Sequence, residues 1–360
     1  MIGEHVRPTL DTLAARFGVD CTIEPLAGDV STRIYYRLSR RFSTSILVDT
    51  GRPIQPAEDP FLAAARLLGD AGLPVPRVLA VFPDEGLMIL EDLGELLLQR
   101  HLADAPEARR DSLYELAVDH LIRLHTQGSL LLARCAGHPA GQQALDRERF
   151  LFEFDFFREH YLQGLRGAAP SGADAAELTR FFEDLAAEVA GFGRVLAHRD
   201  YHARNLMWHS GRLFLIDFQD ARWGPVTYDL ASLLRDSYVA LPEASVERLL
   251  ERFRAGMLAR LRDLSGDPAG ASAEDVGRLA ESVLPTLRSA EQFRRRFDLT
   301  CLQRNIKALG TFGYMATARA NPLYVRYVAP TARHIRQNLS RFPEFAKPAA
   351  ILDAVGALPS

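Results

Sequence analysis

Residues 195–229 read VLAHRDYHARNLMWHSGRLFLIDFQDARWGPVTYD, and this stretch decides the fold. His198-Arg199-Asp200 follows a short apolar run, and Asn205 comes five residues after Asp200. Residues 206–208 and 213–216 are short β-like runs separated by Ser210 and Gly211, which is a hairpin signal. A three-residue turn centred on Gly211 sets Asn205 directly opposite Asp217, and a two-residue turn sets them one register step apart. Either turn brings the amide and the carboxylate close together at the open end of the hairpin. That pair suits Mg²⁺, a hard cation that takes oxygen ligands and keeps waters and phosphate oxygens in its other positions. Asp200 can face the same place across the loop and orient, or take a proton from, an attacking hydroxyl. Positioning, metal on the phosphates and one carboxylate near the nucleophile are what phosphoryl transfer needs.

Upstream of this stretch the chain is strand-rich. Residues 21–26, 33–38 and 43–49 read as three strands, and 78–82 with 87–90 as a hairpin across Pro83-Asp84-Glu85-Gly86. Helical spacing marks 1–20 and, through Phe61, Ala65 and Leu68, 59–71, where Gly72 and Pro74 end the helix. After Leu96 the period becomes helical, with amphipathic stretches at 107–126, 147–163 and 175–190 and a loop at 167–174. Helices dominate from 227 onward, with loops at 264–273 and 320–323. The pattern predicts a small β-rich lobe, a connector near 91–95 and a larger α-rich lobe.

HRDYHARN followed by IDF resembles the HxDxxxxN catalytic loop and the metal-binding Asp of protein kinases and aminoglycoside phosphotransferases. Asp229 opens a helix only a dozen residues after Asp217, which leaves no room for a protein-kinase activation segment. The segment instead resembles small-molecule kinases, in which an Asp at this helix start braces the catalytic loop. GDVSTRIYYR, EDPFLAAARLLGDAGLPVPRVLA, LMILEDLG, FQDARWGPVTYDLASLLRD and LQRNIKALGTFGYM extend the resemblance over most of the chain. They are similar to the bacterial anomeric N-acetylmuramate/N-acetylglucosamine kinases of cell-wall recycling.

The resemblance implies a protein-kinase-like, two-lobed α+β fold. A nucleotide-binding lobe would span 1–94 and a catalytic, substrate-binding lobe 95–360. It implies ATP and Mg²⁺ as cofactors and an amino-sugar hydroxyl as acceptor. Asp200 is then the catalytic carboxylate, Asn205 and Asp217 the metal ligands, and His198 and Asp229 supports of the loop. Adenine would meet the backbone near Glu91 and Leu93. His202, Arg204, Asp220 and Arg222 flank the site as candidate phosphate or substrate contacts.

One part of the pattern is missing. Kinases use a strand lysine, paired with a helix glutamate, on the α- and β-phosphates, yet the only lysines here are Lys307 and Lys347. The strand SILVDT carries Asp49 near the lysine's place, and a Walker loop is excluded because it needs Gly-Lys. Arg33 and Arg37, on one face of the second strand, are the candidate replacements, with Ser31 and Thr32 in the turn over the phosphates. Glu58 sits where the helix glutamate would begin.

Composition narrows the alternatives. The 360 residues carry a net charge of −3 and are 48% hydrophobic, which is ordinary for a globular chain and lacks the basic excess of a nucleic-acid binder. The N-terminus lacks a signal-peptide pattern, and no stretch approaches the roughly 18 apolar residues of a membrane span. Three scattered cysteines give no zinc or disulfide framework and fit a reducing cytoplasm. The residues leave rivals open: a kinase of another small acceptor such as an aminoglycoside or amino alcohol, a nucleotide-binding pseudokinase, or a protein kinase.

Overall fold

The computed structural model describes residues 10–18, 21–26, 33–103, 105–266 and 271–359. Helix α1 (Leu10–Phe17) leads into strands β1 (Thr22–Leu26), β2 (Ile34–Arg40) and β3 (Ser43–Asp49). Helix α2 (Pro60–Asp70) separates these from the hairpin β4 (Val78–Phe82) and β5 (Leu87–Glu91). The five strands form one antiparallel sheet in the order β1-β2-β3-β5-β4. Asp59 caps α2 by accepting from the amides of Phe61 and Leu62, both at 3.0 Å, and Pro60 fits the first turn because it has no N–H to leave unpaired. The helix ends where Gly72 takes a φ of +74°. Its buried face, Phe61, Ala64, Ala65, Leu67 and Leu68, joins the core below the sheet.

Helices follow: α3 (Leu98–Ala103), α4 (Glu107–Arg123), α5 (Ser129–Arg134), α6 (Arg147–Phe156) and α7 (Gly172–Ala190). Two short sheets carry the middle of the chain, β6 (Arg194–Ala197) with β9 (Arg222–Pro225), and β7 (Leu206–His209) with β8 (Arg212–Leu215). The end is α8 (Tyr228–Leu234), α9 (Glu243–Gly266), α10 (Ala273–Leu287), α11 (Ala290–Thr317), α12 (Val328–Leu339) and α13 (Ala346–Ala354). The expected loop at 167–174 is shorter than its composition suggests, because α7 begins at Gly172. The expected helices 107–126 and 147–163 are regular α-helix only as far as Arg123 and Phe156. Each continues as a π-helical segment, Leu124–Gly128 and Phe157–Leu165.

The axis of the helical region is α11, 28 residues long and buried along most of its length. The Phe157–Leu165 segment crosses it backbone against backbone. A Cβ at Gly310 would lie 2.9 Å from the Cα of Phe157, and one at Gly313 would lie 2.4 Å from the carbonyl oxygen of His160. Only glycine permits that approach. The apolar core does not divide as the strands and helices do. Its largest part joins Val48, Met88 and Leu90 of the sheet to Leu121, Leu206 and Phe218 of the helical region. A second part surrounds α11, and a third lies on the outer sheet face under Leu13.

Candidate active site

The loop between β6 and β7 and the end of β8 place the three motif residues. Leu206 pairs with Leu215 and His209 with Arg212, so the hairpin turn is the two-residue kind. Ser210 and Gly211 both have positive φ, +47° and +78°, as a type I′ turn requires. Asn205 therefore faces Ile216, whose N–H donates to its carbonyl at 3.1 Å, and Asp217 lies one step further. A φ of +62° at Asp217 turns the backbone at this point, and its carboxylate lies 3.3 Å from Asn205 Nδ2. Asn205 also donates to the carbonyl of Asp200 at 2.9 Å. Arg199 has φ +82°. Non-glycine residues held in this region are uncommon and strained, and such strain gathers at functional sites.

Asp229 holds the loop from beneath. Its fully buried carboxylate accepts the backbone N–H of His198 at 2.7 Å and of Arg199 at 2.9 Å, and His125 Nε2 lies 3.2 Å away. The His198 ring reaches the carbonyl of Ile216 at 3.0 Å, joining the loop to the end of β8. Asp236, just after α8, accepts from the amides of Ala203 and Tyr238 at 3.0 and 2.8 Å. Burial pushes Asp236 up to about 7 against those two donors.

Asp200 sits among cations. Lys307 Nζ and Arg304 Nη2, both from α11, lie 3.1 Å from its Oδ1, and Arg199 Nε is 4.0 Å from Oδ2. Burial alone would raise this carboxyl; Lys307, Arg199 and Arg304 outweigh it and hold Asp200 well below the usual carboxylate range. Burial and the neighbouring Arg304 draw Lys307 down to about 8, with Asp200 pulling the other way. Neither α11 residue was singled out from the sequence. One signal was present: Gln303, Arg304, Asn305 and Lys307 interrupt the mainly apolar run 299–315, and Lys307 is one of only two lysines.

A pocket of about 340 Å³ opens beside Asp200, between α11 and the segment after α8. That size lies within the roughly 300–1,000 Å³ of small-molecule sites. Its walls include Tyr238, Thr311, Phe312, Met315 and Tyr324. Of the flanking candidates, His202 faces this pocket with its ring against Tyr238, 5.1 Å between centroids. Burial drives His202 down to about 3, so it offers no positive charge to a phosphate. Arg204 stacks over Tyr238 at 4.9 Å. Asp220 pairs with Arg199 at 2.6 Å and with Arg222 at 3.4 Å, so both flanking residues are tied to the loop in this structure.

On the sheet side, Ser31 and Thr32 lie outside the described residues. Arg37 is engaged by Asp92 at 2.9 Å and Glu95 at 2.7 Å, so it ties β2 to the connector. Asp49 is fully buried and accepts the N–H of Gly51 at 2.7 Å, closing its own turn. Glu58 is exposed and precedes α2. Arg33 lies over the Phe61 ring at 5.3 Å, and Phe61 stacks on Phe218, next to Asp217, at 5.0 Å. Glu91 pairs with Arg77, and the carbonyl of Leu93 accepts from His209 at 3.0 Å.

Asn205 and Asp217 supply an amide and a carboxylate, and among the described residues no group of three His, Cys, Asp or Glu gathers as a metal cage. Two oxygen donors with the remaining positions left to water and phosphate suit Mg²⁺, so the donor set fits that ion.

This arrangement can position a hydroxyl for phosphoryl transfer, and comparison with known proteins gives the same class. Residues 22–264 match the phosphotransferase enzyme family, and the chain belongs to that family. It is 30% identical over 326 residues to the N-acetylmuramate/N-acetylglucosamine kinase of Pseudomonas aeruginosa, covering 90% of this chain and 85% of that protein. The protein of the same name from Pseudomonas putida is 29% identical over 322 residues, 89% of this chain and 84% of that one. A microcompartment-associated aminopropanol kinase shares the kinase-like fold with a TM-score of 0.54, over 90% of this chain and 94% of that structure, at 18% identity.

Proposed function

We propose that this protein is an ATP- and Mg²⁺-dependent kinase that phosphorylates the anomeric hydroxyl of N-acetylmuramate or N-acetylglucosamine. The observation that carries the reading is Asp200 at the edge of a sugar-sized pocket, its carboxylate paired with Lys307 and Arg304. A carboxylate stabilised to that degree is a weak base. It suits an acceptor whose hydroxyl is already more acidic than an ordinary alcohol, which the anomeric hydroxyl is. The names of the relatives point to the same acceptors.

In this reading residues 1–94 form the nucleotide lobe and 95–360 the catalytic lobe, with adenine against the backbone of 91–93. Asn205 and Asp217 would hold Mg²⁺, which when bound neutralises charge on the phosphates. Arg33 takes the place of the missing strand lysine. Asp200 accepts the hydrogen bond of the sugar hydroxyl, aims its oxygen at the γ-phosphate and receives the proton as the bond to phosphorus forms. Asp229 and His198 keep the loop in its strained form while this happens. The described residues hold no helix long and apolar enough to cross a membrane, and the unpaired Cys21, Cys135 and Cys301 suit a reducing compartment such as the cytoplasm.

The test is transfer from ATP with Mg²⁺ to both N-acetyl sugars, an aminoglycoside and simple amino alcohols, followed by a reducing-sugar assay of the product. A 1-phosphate no longer reduces, whereas a phosphate on any other hydroxyl leaves the reducing end intact. The expected product is non-reducing. A reducing product, or turnover of amino alcohols alone, overturns the acceptor assignment.

A further inference from the structure

Four cations line the pocket beside Asp200: Arg199, Arg235, Arg304 and Lys307. The three arginines each have a partner besides Asp200. Arg199 pairs with Asp220 as well as lying near Asp200. Arg235 makes a two-pronged contact with Glu243 at 2.9 and 2.7 Å, and its side chain is 2% exposed. Arg304 donates to Ser232 at 2.9 Å and to Asp200, and lies over the Tyr228 ring at 5.7 Å. Lys307 differs. Its ammonium carries three N–H groups, and among the described residues the side chain it bonds is Asp200, at 3.1 Å from Oδ1. Like Thr311 and Phe312 of the same helix, it lines the pocket.

From this geometry we infer that Lys307 is the specificity-determining residue of the acceptor site, recognising a carboxylate on the sugar while Asp200 holds the reacting hydroxyl. The inference rests on the amino-sugar reading above. N-acetylmuramate carries a lactyl carboxylate that N-acetylglucosamine lacks; otherwise the two sugars are alike. An ammonium already bound to Asp200 is held a few ångströms from the reacting oxygen, which leaves its other N–H groups for an anion on the same ring. Thr311 and Phe312 offer a hydroxyl and an apolar surface to the lactyl methyl beside it. A lysine ammonium is a compact point charge with three rotatable donors on a flexible stem, which suits a rotatable substituent.

The experiment measures kcat/KM for N-acetylmuramate, its methyl ester and N-acetylglucosamine in the wild type and in Lys307→Met. Any damage to Asp200 lowers all three acceptors together, so the ratios isolate the carboxylate. The expected result is that the ratio of acid to ester, and of acid to N-acetylglucosamine, falls by about tenfold in Lys307→Met, the scale of one charge-assisted hydrogen bond. Lys307→Arg, which keeps the charge, is expected to retain most of the ratio. Should Lys307→Met fail to fold, Lys307→Gln keeps a hydrogen bond to Asp200 and carries the same comparison. Unchanged ratios in a folded variant overturn the inference and leave the kinase reading intact. A wild type that phosphorylates none of the three sugars overturns the amino-sugar reading, and the inference falls with it.

Discussion

The two sides of the cleft solve opposite problems. On the acceptor side a carboxylate, Asp200, is surrounded by cations from its own loop and from α11. On the sheet side, where a kinase places its lysine, this chain has a buried aspartate closing a turn. The one lysine of the cleft therefore sits across from its usual place. The difference teaches that the charge around a phosphoryl-transfer site can be distributed in more than one way, provided that Asn205, Asp217 and the loop beneath them stay fixed.

The comparison can be broken most decisively at its centre. Asp200→Asn is expected to lower kcat by about 10³-fold, within the range for a positioned acid or base, while ATP still binds. Retained activity in that variant would mean that the crowded acceptor side is structural only. Arg33→Ala tests the other side. It should raise KM for ATP about tenfold, the worth of one charge-assisted contact to phosphate, and leave KM for the sugar unchanged. A rise in the sugar's KM instead would erase the distinction between the two sides.

A pH profile sharpens the contrast further. Lys307, drawn down to about 8 by burial and Arg304, faces Asp200 and Arg199 on the catalytic loop and Glu153 on α6. Its charge is present below that value and is lost as pH rises through it, whereas Asp200 stays ionised throughout. The preference for the carboxylate sugar, read as a ratio of kcat/KM values, should therefore fall severalfold between about pH 7 and 9. A flat ratio would place the selection elsewhere. The smallest expected effect is Arg37→Ala. Its ion pairs with Asp92 and Glu95 are partly solvated and worth about 1 kcal/mol or less. KM for ATP should change less than about threefold, and a larger rise would make Arg37 a phosphate ligand.

Much of the frame was legible because it is local. The third strand spans the expected 43–49, and the hairpin across Gly86 follows directly from its turn residues. The spacing of Asp200, Asn205 and Asp217 is readable because one short hairpin places all three. What stayed hidden depends on contacts between distant residues. Lys307 reaches Asp200 over 107 positions of chain, and Arg37 meets its two partners over 55 and 58. Alternation on a strand tells which face a side chain takes but not what waits there. The π-helical segments escaped for a similar reason, since they arise where a helix must pass a neighbour and not from its own residue pattern.

The crossing at Gly310 and Gly313 sets a mechanical limit on this enzyme. Those glycines follow Lys307 by less than two turns on the same helix, and each is in backbone contact with the Phe157–Leu165 segment. The helix is bolted there like a shelf to its bracket, and it cannot slide or tilt to admit a bulkier acceptor. Widening the range of acceptors by mutation would have to proceed through the side chains that hang over the pocket, Thr311, Met315 and Tyr324. A larger residue at position 313 would shift the shelf itself, and would move the ammonium of Lys307 away from Asp200 before any new sugar could gain a contact.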